Sequence, residues 1–264
     1  MALTNPLKRK LQAGGRAFGA WLASGSATIT ELLARCGYDF LVLDQEHGPG
    51  ETEALIASLQ AAQGTGCELV VRVRWNDQAL LKRALDAGAR SIMVPMVEDA
   101  AEAEAAVVAC RYPPRGRRGF GGVVRAARFG LEEDYAATAH EELLLLTQIE
   151  SATAAYNAGA IAAVEGVDVV FIGVNDLSGS IGRLGELDHP EVQALVAEVE
   201  RAVPAAGKVL GTVPTPRRDP AALAAAGYGL VAASADISLL RDAALAELER
   251  VRPHFDCPVA VRAG

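Results

Sequence analysis

Short apolar runs without polar alternation recur along this chain, each followed by a longer segment in which apolar residues return every three or four positions. The runs are AFGAWLAS (17–24), DFLVLDQ (39–45), ELVVRVR (68–74), SIMVPM (91–96), LLLLTQIE (143–150), DVVFIG (168–173), KVLGTV (208–213) and GLVAAS (229–234). They predict eight strands. Helices are predicted over 27–36, 51–63, 77–88, 99–110, 151–164, 190–203, 219–227 and 237–251. Several end in a glycine suited to a left-handed closing residue, as in CGYDF, DAGARS, AAGKVL and AAGYGL.

Strands that are apolar on both parities belong to a parallel sheet covered by helices on each face. Eight consecutive strand-helix units predict a (βα)8 TIM barrel forming one domain over residues 1–264. A doubly wound open sheet is the alternative, and a GxGxxG after the first strand, which would favour it, is missing. The one long connection, 111–140, exceeds what an idle loop needs and is expected to be functional.

In a barrel of this kind chemistry collects at the C-terminal strand ends. Trp21, Asp44, Glu46, His47, Arg72, Arg74, Gln148, Glu150, Asn175 and Asp176 all fall there, and the N-terminal ends show no comparable cluster. Glu150 and Asp176 follow consecutive strands, about one 4.8 Å interstrand spacing apart. Two carboxylates suit a hard divalent cation such as Mg²⁺, Mn²⁺ or Co²⁺ completed by water and substrate oxygens; the plainer alternative is that each caps a helix or turn. Arg72 lies in an apolar strand and needs an anion, either a substrate carboxylate or Asp44 or Glu46 on the adjacent strand. His47, three residues beyond Asp44, is either a structural histidine or a general base oriented by that aspartate. The lysines lie before the first strand, in a helix, or at the wrong end of the seventh strand. Imine catalysis is therefore not expected.

Composition narrows the partners. The chain has 264 residues, 51% hydrophobic and 22% charged, with a net charge of −8 that argues against nucleic acid or anionic membrane. Cys36, Cys67, Cys110 and Cys257 form no CxxC pair, and no apolar leader or run of about 18 uncharged apolar residues appears. A cytoplasmic protein is expected. GFGG (119–122) is a candidate backbone anion loop or a simple turn, and VPTP and SADI lack a glycine-rich phosphate grip.

The stretches DQEHGP (44–49), RVRWND (72–77), GARSIMVPMVEDAAEAEAAV (88–107), RYPPRGRRG (111–119), TQIES (147–151) and FIGVNDLS (171–178) together resemble the HpcH/HpaI aldolase family over about residues 15 to 245. The resemblance implies a metal-dependent pyruvate aldolase that cleaves a 4-hydroxy-2-oxoacid to pyruvate or hydroxypyruvate and an aldehyde. It implies Glu150 and Asp176 as metal ligands, Arg72 as the group holding the carboxylate and keto oxygen, and His47 as the base with Asp44 as its partner. Gln148, Trp21, Gly121, Val174 and Asn175 are expected around the substrate, under a loop containing Gly119–Gly122. A hexamer of two trimers with an exchanged C-terminal helix is also implied. One departure stands out: FIGVNDLS has Val174 and Asn175 where the family commonly has proline and a small residue. The competing readings are an acyl-CoA ester lyase of malyl-CoA or citrate lyase beta type, and a non-catalytic barrel that binds a small acid.

Overall fold

The computed structural model describes residues 4–255. Its eight strands are β1 (Ala17–Leu22), β2 (Phe40–Asp44), β3 (Glu68–Arg72), β4 (Ser91–Val94), β5 (Leu144–Ile149), β6 (Val169–Ile172), β7 (Val209–Thr212) and β8 (Leu230–Ala235). All neighbours pair in parallel and β8 returns to β1, which closes the barrel and disposes of the open-sheet alternative. The helices are α1 (Pro6–Gln12), α2 (Ala27–Arg35), α3 (Thr52–Ala61), α4 (Gln78–Asp86), α5 (Ala100–Cys110), α6 (Tyr135–Glu142), α7 (Ala152–Tyr156), α8 (Ala158–Ala163), α9 (Val174–Ser180), α10 (Pro190–Ala205), α11 (Pro220–Ala225) and α12 (Asp236–Phe255).

Both strand parities are buried because each faces a different core. Phe40, Val42, Val70, Leu146 and Phe171 fill the barrel, while Leu41, Leu43, Val71, Ile92 and Val170 face the helices. The two inward phenylalanines need room across the ring. A Cβ on Gly19 would stand 2.5 Å from the Phe40 ring, and one on Gly211 would stand 2.7 Å from that of Phe171. Between Gly19 and Ala20 the β1–β8 register slips, so that Gly19 pairs with Ala232 and Ala20 with Ser234.

Several elements lie outside the sequence expectation. Helix α1 carries its own signals: Asn5 accepts the Lys8 N–H at 3.0 Å as a cap, Pro6 opens the helix, and Leu7 and Leu11, four apart, enter the barrel floor. The predicted helix 151–164 is broken at Asn157, whose amide donates to the Glu98 carbonyl at 2.9 Å. The long connection folds into a 3-10 segment over Arg125–Gly130 and helix α6.

The N-terminal ends are not bare of polar groups. Asn5 Nδ2 donates to Ser91 Oγ at 2.9 Å, Ser91 Oγ donates to Glu68 Oε1 at 3.1 Å, and Arg90 pairs with Glu68 Oε2 at 2.6 Å. This network is closed on itself and fixes α1 beneath the barrel, so its role is structural. Burial raises the Glu68 carboxyl above its ordinary value against the pull of Arg90 and Ser91. Cys36, Cys67 and Cys110 are free thiols, and burial pushes Cys67 and Cys110 up to about 12; Cys257 lies outside the described residues. Among the described residues no helix is long and apolar enough to cross a membrane.

At the opposite end Asp236 joins β8 to the loop after β1. Its carboxylate accepts from Ala23 N (2.9 Å), Ser24 N (3.1 Å), Ser24 Oγ (2.5 Å) and Ile237 N (2.8 Å) while only 3% exposed. Asp236→Ala should therefore cost about 2 kcal/mol through the N–H groups it orphans. Urea unfolding measures the loss, and an unchanged midpoint would show that water replaces the carboxylate.

Candidate active site

The inward parity that places Phe40 and Val42 inside the barrel brings Asp44 to the mouth from β2, and Val70 does the same for Arg72 on β3. The register aligns these two residues directly. Arg72 Nε donates to Asp44 Oδ1 at 2.9 Å and Nη2 to Oδ2 at 2.7 Å, a two-pronged pair with both side chains buried. Glu46 Oε2 approaches Nη1 at 2.9 Å, off the hydrogen-bond axis, since that oxygen is buried without a hydrogen-bond partner. The guanidinium lies over the Trp21 ring, 4.5 Å from its centroid, and Trp21 meets Phe171 edge-on at 6.0 Å. Arg72 has five N–H donors, so this pairing leaves some of those on Nη1 and Nη2 for an added anion.

These contacts correct the reading of Asp44. Its carboxylate is committed to Arg72 and to the backbone N–H groups of Glu46 (3.0 Å) and His47 (3.3 Å), so it reaches His47 through the main chain and not through the imidazole. It shapes the turn that carries His47. Burial alone would raise the Asp44 carboxyl, yet the hydrogen bonds and charge of Arg72, with the two N–H groups, bring it below its ordinary value. Glu46 moves the other way, raised by burial against the charges of Arg72 and His47. His47 itself is exposed beyond the strand.

Gln148 and Glu150 continue the inward face of β5. Gln148 Nε2 donates to Glu150 Oε1 at 3.0 Å and the Met96 backbone N–H donates to Oε2 at 2.8 Å. Ser151, not Glu150, caps α7, accepting the Ala154 N–H at 3.0 Å. Burial pushes the Glu150 carboxyl up to about 7, and the charges of Glu46 and Asp176 push in the same direction. Asp176 is exposed in the first turn of α9, a short helix with no apolar periodicity to announce it.

The donor set fits a hard cation held largely by water and substrate. Among the described residues no three His, Cys, Asp or Glu side chains form a complete protein ligand group. Asp176 is near enough to raise Glu150 electrostatically, and Gln148 Oε1 is a buried oxygen with no hydrogen-bond partner on the side chain next to Glu150. An orphaned amide oxygen next to a carboxylate calls for a cation or a water bound to one.

Three expected residues are placed elsewhere. Val174 is 2% exposed in the layer between barrel and helices, with Ile172 and Val196, because α9 begins with that side chain turned outward. Gly121 belongs to a segment held against α4: Gln78 Nε2 donates to the Arg117 carbonyl at 3.0 Å and Arg125 Nη1 to that of Ala87 at 2.8 Å. Within one chain this loop flanks the barrel. Arg74 leaves the mouth, donating to the Gln45 carbonyl at 3.0 Å and pairing with Glu51. Asn175 is exposed beside Asp176. Met96 and Gly173 are rim residues that pattern reading missed, since a backbone donor and a missing Cβ leave no polar signal. A cavity of about 990 Å³ lies at the other end of the barrel, bordered by Glu68, Arg90, Arg118 and Arg125, away from Asp44, Arg72, Glu150 and Asp176.

Residues 17–243 match the family described as HpcH/HpaI aldolase/citrate lyase. The chain is 43% identical over 249 residues to a hydroxypyruvate/pyruvate aldolase of Chromohalobacter salexigens, covering 94% of this chain and 98% of that one. It is 46% identical over 210 residues to a 2-keto-3-deoxy-L-rhamnonate aldolase of Klebsiella pneumoniae subsp. pneumoniae, covering 79% of each. A crystal structure of a family protein from Burkholderia cenocepacia superposes with a TM-score of 0.90 at 40% identity, covering 94% of this chain and 100% of that one.

Proposed function

Because the chain belongs to the HpcH/HpaI aldolase/citrate lyase family, we propose that its rim site cleaves a 4-hydroxy-2-oxoacid to pyruvate or hydroxypyruvate and an aldehyde, and runs the reverse addition. The observation that carries this reading is Arg72, a buried guanidinium at the barrel mouth, fixed on one edge by Asp44 and backed by the Trp21 ring. Such a group is already oriented when a substrate carboxylate arrives, so little ordering is left to accomplish on binding.

Glu150 and Asp176 are the residues that would hold a divalent cation, Mg²⁺, Mn²⁺ or Co²⁺. When bound, that cation supplies positive charge against the electrons that C3 receives as the C3–C4 bond breaks. Arg72 holds the 2-oxoacid end through its remaining Nη donors. His47, exposed past β2 and across the ring from the β6 end that leads to Asp176, moves the proton of the 4-hydroxyl directly or through water. Asn175 and the segment around Gly121 are the acceptor side of this reading, the latter from a neighbouring copy.

Assembly belongs to the same reading. Helix α12 leaves the barrel with Ile237, Leu240, Leu245 and Leu248 exposed, a set of apolar side chains suited to a second copy in a hexamer.

Chelation tests the chemistry. Cleavage of a 4-hydroxy-2-oxoacid should fall to background after complete metal removal and return with Mn²⁺, Mg²⁺ or Co²⁺. Turnover that persists without metal would overturn the reading, and cleavage of a CoA ester in preference to a free 2-oxoacid would redirect it.

A further inference from the structure

The Glu150 side chain is enclosed on three sides, and two of them depend on backbone features that carry no chemistry of their own. On the β4 side the chain turns at Met96, whose φ of +51° lies in the left-handed region that a non-glycine residue seldom adopts. The turn keeps the chain paired with β5 beyond the end of β4. Val97 N donates to the Gln148 carbonyl at 3.2 Å, and the Met96 N–H turns onto Glu150 Oε2 at 2.8 Å. On its own strand, Gln148 Nε2 takes Oε1 at 3.0 Å.

On the β6 side Glu150 lies flat against Gly173. A Cβ there would stand 2.4 Å from Oε1, 2.6 Å from Cγ and 3.0 Å from Cδ. The Gly173 φ of −88° is open to any residue, so glycine is required for space and not for backbone freedom. Gly173 N also donates to the Ile149 carbonyl at 3.0 Å, which fixes its distance from β5, so the backbone cannot retreat to admit a methyl group. The carboxylate would have to move.

We infer that Gly173 and the left-handed Met96 are positioning residues of the cation site: together they set the Glu150 carboxylate in the pose from which it binds a divalent ion. The inference rests on the reading of Glu150 and Asp176 as the cation's protein ligands. Groups that orient a ligand are worth about ten- to a hundred-fold in metal affinity. Left-handed backbone at a non-glycine residue persists where the surroundings over-determine it, as the Met96–Glu150 and Val97–Gln148 bonds do here.

The test is Mn²⁺ binding to chelator-treated protein, followed by calorimetric titration, which needs no turnover. Gly173→Ala should weaken Mn²⁺ by about ten-fold or more with a cooperative melt retained. A pair at Met96 separates backbone from side chain. Met96→Gly, which adopts the left-handed region freely and keeps the N–H, should hold Mn²⁺ within about two-fold of the unaltered protein, whereas the β-branched Met96→Val should lose about ten-fold. This pair decides the matter even where Gly173→Ala fails to fold. Equal Mn²⁺ affinity in Met96→Gly and Met96→Val, or an unweakened Gly173→Ala, would overturn the inference while leaving the two ligands in place. Absence of Mn²⁺ binding by the unaltered protein would instead overturn the ligand reading, and the inference with it.

Discussion

Arg72→Ala should reduce turnover by about three orders of magnitude or more and destabilise the fold by about 3–5 kcal/mol. The activity loss follows from the site: this is the buried cation aimed into the barrel mouth by Asp44 and stacked on Trp21. The stability loss has a separate cause. Removing the guanidinium leaves Asp44, 6% exposed, without the partner that holds its carboxyl below the ordinary range, and leaves Glu46 beside it. A carboxyl whose folded value is depressed adds stability above its unfolded value, near 3.8, and loses that contribution as pH falls through the folded value. The gap between the parent protein and Arg72→Ala should accordingly be widest near neutral pH and narrow below about pH 4. Arg72→Lys separates the two effects. It restores charge but not the two-pronged geometry, so denaturant unfolding should recover part of the stability while kcat/KM stays low. An alanine variant as stable as the parent at pH 7 would show that the Asp44 carboxylate is accommodated by water.

Glu150→Gln should remove activity and yet make the metal-free protein more stable, two effects of opposite sign from one substitution. The activity loss follows because an amide oxygen is a much weaker ligand than a carboxylate for a hard cation. The stability gain follows from burial, which pushes this carboxyl up to about 7 from an ordinary 4.5. A raised carboxylate pKa carries no penalty below the unfolded value. The penalty accumulates between about 4.5 and about 7 and is fully present above. Glutamine avoids it. The new amide oxygen can keep the Met96 N–H, and its NH₂ can donate to Gln148 Oε1, now without a partner, once the Gln148 amide turns over. Chelated Glu150→Gln should therefore exceed the chelated parent by about 2 kcal/mol at pH 8 and match it near pH 4, below the unfolded value. Thermal melts at the two pH values check this, and a variant less stable at pH 8 would mean that water already solvates the ionised carboxylate. By the same linkage, the rise in melting temperature that Mn²⁺ produces in the parent should grow from pH 6 to pH 8.

The rim was legible to the extent that its chemistry resides in ionisable side chains. Asp44, Arg72, Gln148 and Glu150 are polar interruptions at one parity of otherwise apolar strands, and that parity carried them to one mouth. Val174 shows where the reasoning stops: adjacency to Asp176 suggested a pocket wall, but α9 turns the side chain into the helix layer. The partnership of Asp44 was left open for a related reason. Spacing along β2 suggested His47, three residues away, while register with β3 set Arg72 directly beside it.

Strand count, the alternation of strand and helix and the inward face of each strand follow from local hydrophobic periodicity, because a barrel buries both parities and the pattern survives in the one-dimensional order. The two-pronged geometry of the Arg72–Asp44 pair, the left-handed turn at Met96 and the close approach of Gly173 to Glu150 do not. Each depends on strands that are distant in the chain meeting at a particular register, and no local propensity encodes the distance between two residues that share only the fold.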